Sequence, residues 1–160
     1  MTDFGTVRRD GGSAAVRFER VYAAAPEELW TAWTEPDRIA RWLGATLTGP
    51  LSIGAAVRLV WGEDPASQVD LLVEELAPPE RLVWRWTIFG EPPTVLRVEL
   101  SPVEGGTRLV LDHSRLPSGQ VAGLSAGWHE FLDGLGSGVA AGADRWRELL
   151  PAYQEKVSAL

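Results

Sequence analysis

The spacing of hydrophobic positions changes twice along the 160-residue chain, which divides the sequence into three parts. Apolar residues alternate with polar ones over about 14–24, which predicts a first long strand. From 45 to 114 the same alternation recurs in runs separated by proline- and glycine-rich turns. Beyond about residue 120 the apolar residues follow a helical period. This order predicts an antiparallel meander with one buried face, followed by a long C-terminal helix.

Two short amphipathic helices are predicted between the first strand and the meander. Pro26 and Pro36 suit the first position of a helix, and Gly44 suits the end of the second helix. The apolar faces carry large aromatic side chains, which we expect to anchor both helices against the sheet. The tryptophans of this stretch are Trp30, Trp33 and Trp42.

The start of the chain is polar and rich in glycine. Residues 1–13 are predicted to be an N-terminal extension, either flexible or folded back as a hairpin through the turn sequence Asp10-Gly11-Gly12. We find no internal repeat, low-complexity tract or second domain. Residues 1–160 are therefore predicted to form a single domain.

The last third of the sequence predicts a long helix and a final short one. His129, Glu130 and Asp133 fall opposite the apolar face of the long helix, so we expect them on its polar side. Asp144 suits the N-cap of the final helix, and Pro151 is expected to interrupt or bend it.

Composition excludes several classes of function. The chain has no cysteine, so no disulfide, thiol nucleophile or thiolate metal site is expected. The net charge is −7 and the 15 basic residues are scattered, which argues against nucleic acid or a membrane as a partner. No apolar run has the length of a membrane span and no signal-peptide segment is found, so a cytoplasmic location is expected. Without metal-ligand spacing or a phosphate-binding glycine loop, we expect neither a metal nor a cofactor.

The order of elements predicts an α+β protein whose sheet curves around the long C-terminal helix. Four segments carry a family resemblance: FERVYAAAPEELWTAWTEPDRIARWL, ELAPPERLVWRW, GGTRLVLDHSRLP and GWHEFLDGL. In order and spacing they resemble the SRPBCC superfamily, also called START-like or Bet v 1-like. Within it they are similar to the branch named after the C-terminal domain of the activator of Hsp90 ATPase. The resemblance implies a helix-grip fold, in which a curved seven-stranded antiparallel sheet encloses the long helix and leaves a cavity beside it.

A ligand site is predicted where the sheet faces the long helix. Alternation places Trp84 and Trp86 on one face of a strand, and His113 on the face that carries Leu111. Several glycines between 123 and 142 form a stripe on the long helix, which indicates close approach of the sheet, an unfilled cavity, or a helix that ends near 134–138. The candidate ligand-binding residues are Trp61, Trp84, Trp86, Leu111, His113, Trp128 and Phe131.

No catalytic residue is assigned from the sequence. His113 is expected to point inward while Asp112 and Ser114 point outward, which argues against a Ser/His/Asp triad. Arg20 and Glu75 fall on inner faces, where they pair with each other, hold the polar end of a ligand, or reach solvent at strand ends.

The first functional hypothesis is a binding protein for a small, mainly apolar or aromatic ligand. One alternative, implied by the resemblance, is an enzyme similar to polyketide cyclases and aromatases, in which His113 or Glu75 moves protons. A second alternative is a co-chaperone of an Hsp90-type ATPase or a stress-response protein. The sequence is compatible with a homodimer.

Overall fold

A computed structural model describes residues 4–140 and 142–160, so the first three residues of the predicted N-terminal extension lie outside the described chain. The strands are β1 (Thr6–Asp10), β2 (Ser13–Tyr22), β3 (Thr46–Leu47), β4 (Ala56–Val60), β5 (Gln68–Ala77), β6 (Arg81–Ile88), β7 (Thr94–Val103) and β8 (Gly106–Leu116). The α-helices are α1 (Pro26–Thr34), α2 (Pro36–Trp42), α3 (Val121–Ser137) and α4 (Ala143–Ser158).

The described strands form one antiparallel sheet in the order β1-β2-β8-β7-β6-β5-β4-β3. The prediction of seven strands was one short, because the N-terminal extension folds back as β1 and adds an edge strand. Asp10 pairs with Ser13 across the turn, and Gly11 adopts a φ of 61° there. Of the two alternatives for the extension, the structure shows the hairpin.

The core lies between one face of this sheet and α3. Alternate residues of β5 to β8 point to this face, as the sequence predicted, and they are almost completely buried. From α3, Trp128 reaches the sheet, where its ring centroid lies 5.3 Å from that of Trp86. The α+β architecture is therefore confirmed.

The short helices α1 and α2 fix their aromatic side chains in the core. Trp33 and Trp42 are buried, and their rings meet edge to face with centroids 4.7 Å apart. The Trp42 indole Nε1 also donates to the Ala32 carbonyl at 2.7 Å, which ties α2 to α1. Trp30, in contrast, is only half-buried.

The C-terminal helix α4 differs most from its prediction. It runs from Ala143 through Pro151 to Ser158, and Asp144 lies in its first turn rather than at its N-cap, which is Gly142. Its apolar side packs along α3, and Tyr153 is fully buried there. The side of α3 that was expected to be polar is therefore covered by α4.

The glycines of α3 serve different contacts. Gly123 and Gly127 lie beside the Trp146 ring of α4, whereas Gly134 lies against the Trp42 carbonyl at the end of α2. Gly138, with a φ of 79°, caps the helix after Ser137. The helix therefore ends within 134–138, as one of the three alternatives predicted. The close approach at its glycines comes mainly from neighbouring helices, and Gly136 alone of those described lies against the sheet, beside Tyr22 of β2.

Candidate functional site

An open, mainly apolar pocket of about 520 Å³ lies between the β4–β6 side of the sheet and helices α3 and α4. Four aromatic side chains form its walls, and Leu43, Val69, Ile88 and Leu124 add aliphatic surface. Among the described residues that line it, Glu130 is the only one with a charged side chain. We call this space the aromatic pocket. Its aromatic walls are Trp61, Trp86, Phe131 and Trp146.

The walls are held in place by the protein itself. Trp61 stacks on Phe131 with ring centroids 5.9 Å apart and an interplanar angle of 18°. The Trp61 Nε1 donates to the Leu43 carbonyl, and the Trp146 Nε1 donates to the Gly123 carbonyl, both at 2.9 Å. Because these two indole donors are occupied, their rings offer a ligand apolar surface in fixed positions.

The structure separates the seven predicted ligand-binding residues into two groups. Trp61, Trp86 and Phe131 line the aromatic pocket. The other four do not line this pocket and are at most 1% exposed: they are Trp84, Leu111, His113 and Trp128. The space expected beside them is filled by Trp33 of α1, whose ring stacks 6.0 Å from Trp128. The pocket therefore opens at one side of the predicted cavity rather than next to His113.

His113 lies in the core within a continuous chain of hydrogen bonds. Trp128 Nε1 donates to His113 Nδ1 at 2.9 Å, and an indole nitrogen can only donate, so the ring proton resides on Nε2. His113 Nε2 lies 2.7 Å from Thr94 Oγ1, which donates to the Trp86 carbonyl at 2.7 Å. Burial lowers the pKa of His113 to about 3. Both ring nitrogens are occupied by protein partners, so this arrangement supports structure rather than proton transfer near neutral pH.

The other acid–base candidates are engaged elsewhere. Asp112 points outward, as predicted, and accepts from Arg8 at 2.8 Å. Glu75 accepts from Arg81 Nε at 2.7 Å and does not pair with Arg20. An irregularity in the β5–β6 pairing between Val73 and Glu75 breaks the alternation on which the predicted inward position of Glu75 depended.

Arg20 points inward, as predicted, and belongs to a polar network centred on Asp133. Arg20 Nη1 donates to Asp133 Oδ1 at 2.7 Å, and Arg145 Nε donates to Oδ2 at 3.0 Å. Burial acts to raise the pKa of Asp133, but these two hydrogen bonds outweigh it and hold the pKa below its usual value. His129 connects the network to the Tyr153 hydroxyl at 2.8 Å. The network joins β2, α3 and α4.

Glu130 is the pocket residue that the sequence analysis missed. It was expected on the polar side of α3, but α4 covers that side and leaves Glu130 only 9% exposed. Burial raises the pKa of its carboxyl group, while a hydrogen bond from the Gly142 backbone N–H acts in the opposite direction. The apolar spacing of Trp146, Leu149 and Tyr153 was the signal that could have placed a second helix over this face.

Two further features are absent from residues 4–140 and 142–160. No group of three or more histidine, aspartate or glutamate side chains is arranged to hold a metal ion there. Within the same residues, every helix is too short or too polar to cross a membrane.

Comparison with protein families identifies the chain. The family model described as activator of Hsp90 ATPase homolog 1-like protein matches residues 23–140, about three-quarters of the sequence. The chain belongs to this family. The match extends from the end of β2 to the residues after α3, so α4 and its pocket wall Trp146 lie outside it. A search of curated proteins gave no match.

Solved structures show the same fold. The crystal structure of CalU16 from Micromonospora echinospora is 24% identical, with 96% of each chain covered and a TM-score of 0.76. BPP1335 from Bordetella parapertussis is 28% identical over 99% of this chain and 91% of its own, with a TM-score of 0.72. DynU16, a protein in the dynemicin biosynthetic locus, is 30% identical with a TM-score of 0.70. That match covers 81% of this chain and 50% of DynU16. The helix-grip fold of the SRPBCC superfamily is therefore confirmed.

Proposed function

We propose that the protein binds a small, mainly apolar or aromatic molecule in the aromatic pocket. The observation that carries this proposal is an open pocket of about 520 Å³ in which three of the four aromatic walls are already fixed by stacking or by hydrogen bonds to the backbone. Pockets for small molecules usually have volumes of about 300–1,000 Å³ and consist mostly of apolar and aromatic side chains. A preformed wall also reduces the ordering cost of binding.

The comparisons support a role with small molecules. DynU16 belongs to a biosynthetic locus, and its similarity extends over most of this chain. The proposal for this protein rests on the pocket and does not use the Hsp90 connection in the family description. A cytoplasmic location and a homodimer remain predictions from the sequence.

Binding is favoured over the cyclase-like alternative by the state of the two residues suggested for proton transfer. His113 is neutral, fully buried and hydrogen-bonded through both ring nitrogens. Glu75 is paired with Arg81 and does not line the aromatic pocket. Neither side chain is placed to exchange a proton with a molecule bound there.

The test uses N-phenyl-1-naphthylamine, an uncharged dye whose fluorescence rises in apolar surroundings. We expect the fluorescence emission of the dye to rise and then saturate as the parent protein is added. Ala66 is exposed at the pocket wall, and Ala66→Trp should weaken dye binding at least about tenfold by filling the mouth.

The matched control is Ala159→Trp, which adds the same side chain beyond the far end of α4 and should bind the dye like the parent. No saturable binding to the parent, or equal binding by parent and Ala66→Trp, would contradict the proposed site.

A further inference from the structure

Glu130 lines the aromatic pocket, and no basic side chain of residues 4–140 or 142–160 pairs with it. The described lining residues include no lysine, arginine or histidine, and none of the ion pairs found among the described residues involves Glu130. Its carboxyl group accepts a hydrogen bond from the Gly142 N–H, whereas an ionised carboxylate can accept about four. Acceptor capacity is therefore left for a molecule in the pocket.

A carboxylate in this position is costly unless a positive charge joins it. Removing an ionised group from water without a counter-charge is strongly unfavourable, and a paired charge restores much of that loss. The rise in the pKa of Glu130 through burial reports the same penalty. A cationic ligand would reduce it, whereas an anionic ligand would increase it.

The aromatic walls favour the same kind of ligand. A cation near the face of a tryptophan or phenylalanine ring is attracted by the ring quadrupole, and the attraction grows when water is excluded. The space that Glu130 lines is also lined by four aromatic rings, those of Trp61, Trp86, Phe131 and Trp146. The pocket thus combines apolar surface, aromatic rings and one negative charge.

We infer that the aromatic pocket selects a ligand in which an aromatic or apolar body carries a protonated amine, and that Glu130 is the residue that determines this preference. The inference rests on the proposed binding function and names its ligand class. Glu130 has a second role in contacting Gly142, the N-cap of α4, where a negative charge is also favourable. A residue with that second role alone would affect stability but not the choice of ligand.

The experiment compares two probes of nearly equal shape, 2-naphthylmethylamine and 2-naphthalenemethanol, which are cationic and neutral at neutral pH. Their dissociation constants are measured by calorimetry and by displacement of N-phenyl-1-naphthylamine. We expect the parent to bind the amine at least about tenfold more tightly than the alcohol. In Glu130→Gln the ratio should fall below about threefold, while the affinity for the alcohol changes little.

Two further variants control for charge and folding. Glu63→Gln removes an exposed carboxylate that does not line the pocket, and it should keep the preference of the parent. Glu130→Asp keeps the charge and should still bind the amine more tightly than the alcohol. Its ratio of dissociation constants provides a second test should Glu130→Gln fold poorly.

The outcomes separate the two levels of the proposal. If neither naphthalene probe nor the dye binds the parent, the proposed binding function fails. If both probes bind the parent equally, the ligand class is wrong and the binding function stands. If Glu130→Gln keeps the amine preference, Glu130 is not the determining residue.

Discussion

Replacing His113 tests whether burial keeps this imidazole neutral in the folded protein. Its pKa falls from 6.5 to about 3 on folding, so between these values the unfolded chain binds a proton that the folded chain does not. Acidification through this window therefore favours unfolding. For one such group, linkage predicts a loss of about 2 kcal/mol in the free energy of unfolding between about pH 7.5 and about pH 5.

His113→Gln removes this titration. At about pH 7.5 the variant should be less stable by about 1–3 kcal/mol, because a flexible amide replaces a packed ring and does not reproduce the geometry of its hydrogen bonds to Trp128 and Thr94. On acidification to about pH 5 it should lose about 2 kcal/mol less than the parent, so the two stabilities converge. Trp128→Phe is the matched control, since it breaks the same hydrogen bond but keeps the imidazole and should keep the pH dependence of the parent.

The assay is urea unfolding followed by far-ultraviolet circular dichroism, which reports mainly backbone secondary structure and does not require the fluorescence of the tryptophan that one variant lacks. His129 and all carboxyl groups are present in the parent and in both variants, so the difference in pH dependence between the parent and His113→Gln reports the titration of His113. Parallel stability curves for these two proteins from about pH 7.5 to about pH 5 would refute the reasoning, and so would loss of the pH dependence in Trp128→Phe.

Two other expectations concern α3. Gly127→Ala should stabilise the fold by up to about 1 kcal/mol, because the added Cβ would meet its nearest side-chain atom at 3.9 Å and alanine favours a helix. Gly134→Ala should destabilise the fold, because the Cβ would lie 3.0 Å from the Trp42 carbonyl oxygen. Equal changes in melting temperature for the two glycine variants would be inconsistent with this packing. Asp133→Asn should lower the free energy of unfolding by about 1–3 kcal/mol at neutral pH, since it weakens the charged hydrogen bonds that Arg20 and Arg145 donate to this side chain. Because folding lowers the pKa of Asp133, its contribution to stability is present above the usual pKa of 3.8 and is lost as the pH falls through the folded pKa. Urea titrations in which Asp133→Asn remains equally less stable than the parent in acid would contradict this expectation.

Local patterns in the sequence predicted most of the fold because its strands have one buried face. The alternation around Trp84 and Trp86 placed both side chains inward, and Pro26 and Pro36 marked the starts of two helices. These features depend on neighbouring residues alone. The inward position of Glu75 was less secure because a single irregularity in strand pairing cancels the alternation.

The candidate site was harder to predict because it depends on contacts between distant segments. Trp33 of α1 fills the space beside Trp128, which moves the open volume away from His113. Glu130 enters the pocket because α4 lies over α3, and the period of α3 by itself assigns Glu130 to solvent. Such packing between helices is set by the whole fold rather than by the spacing within either helix.

The wall contributed by α4 allows ligand preference to be changed separately from the fold. Trp146 is half-buried, packs over two glycines and lies outside the segment that matches the family, whereas Leu149 and Tyr153 of the same helix are buried anchors. Substituting Trp146 while keeping Leu149 and Tyr153 would reshape the pocket and leave the central aromatic packing intact. The protein is therefore suited to engineering by exchange of one turn of a helix, and natural divergence of specificity has the same route open to it.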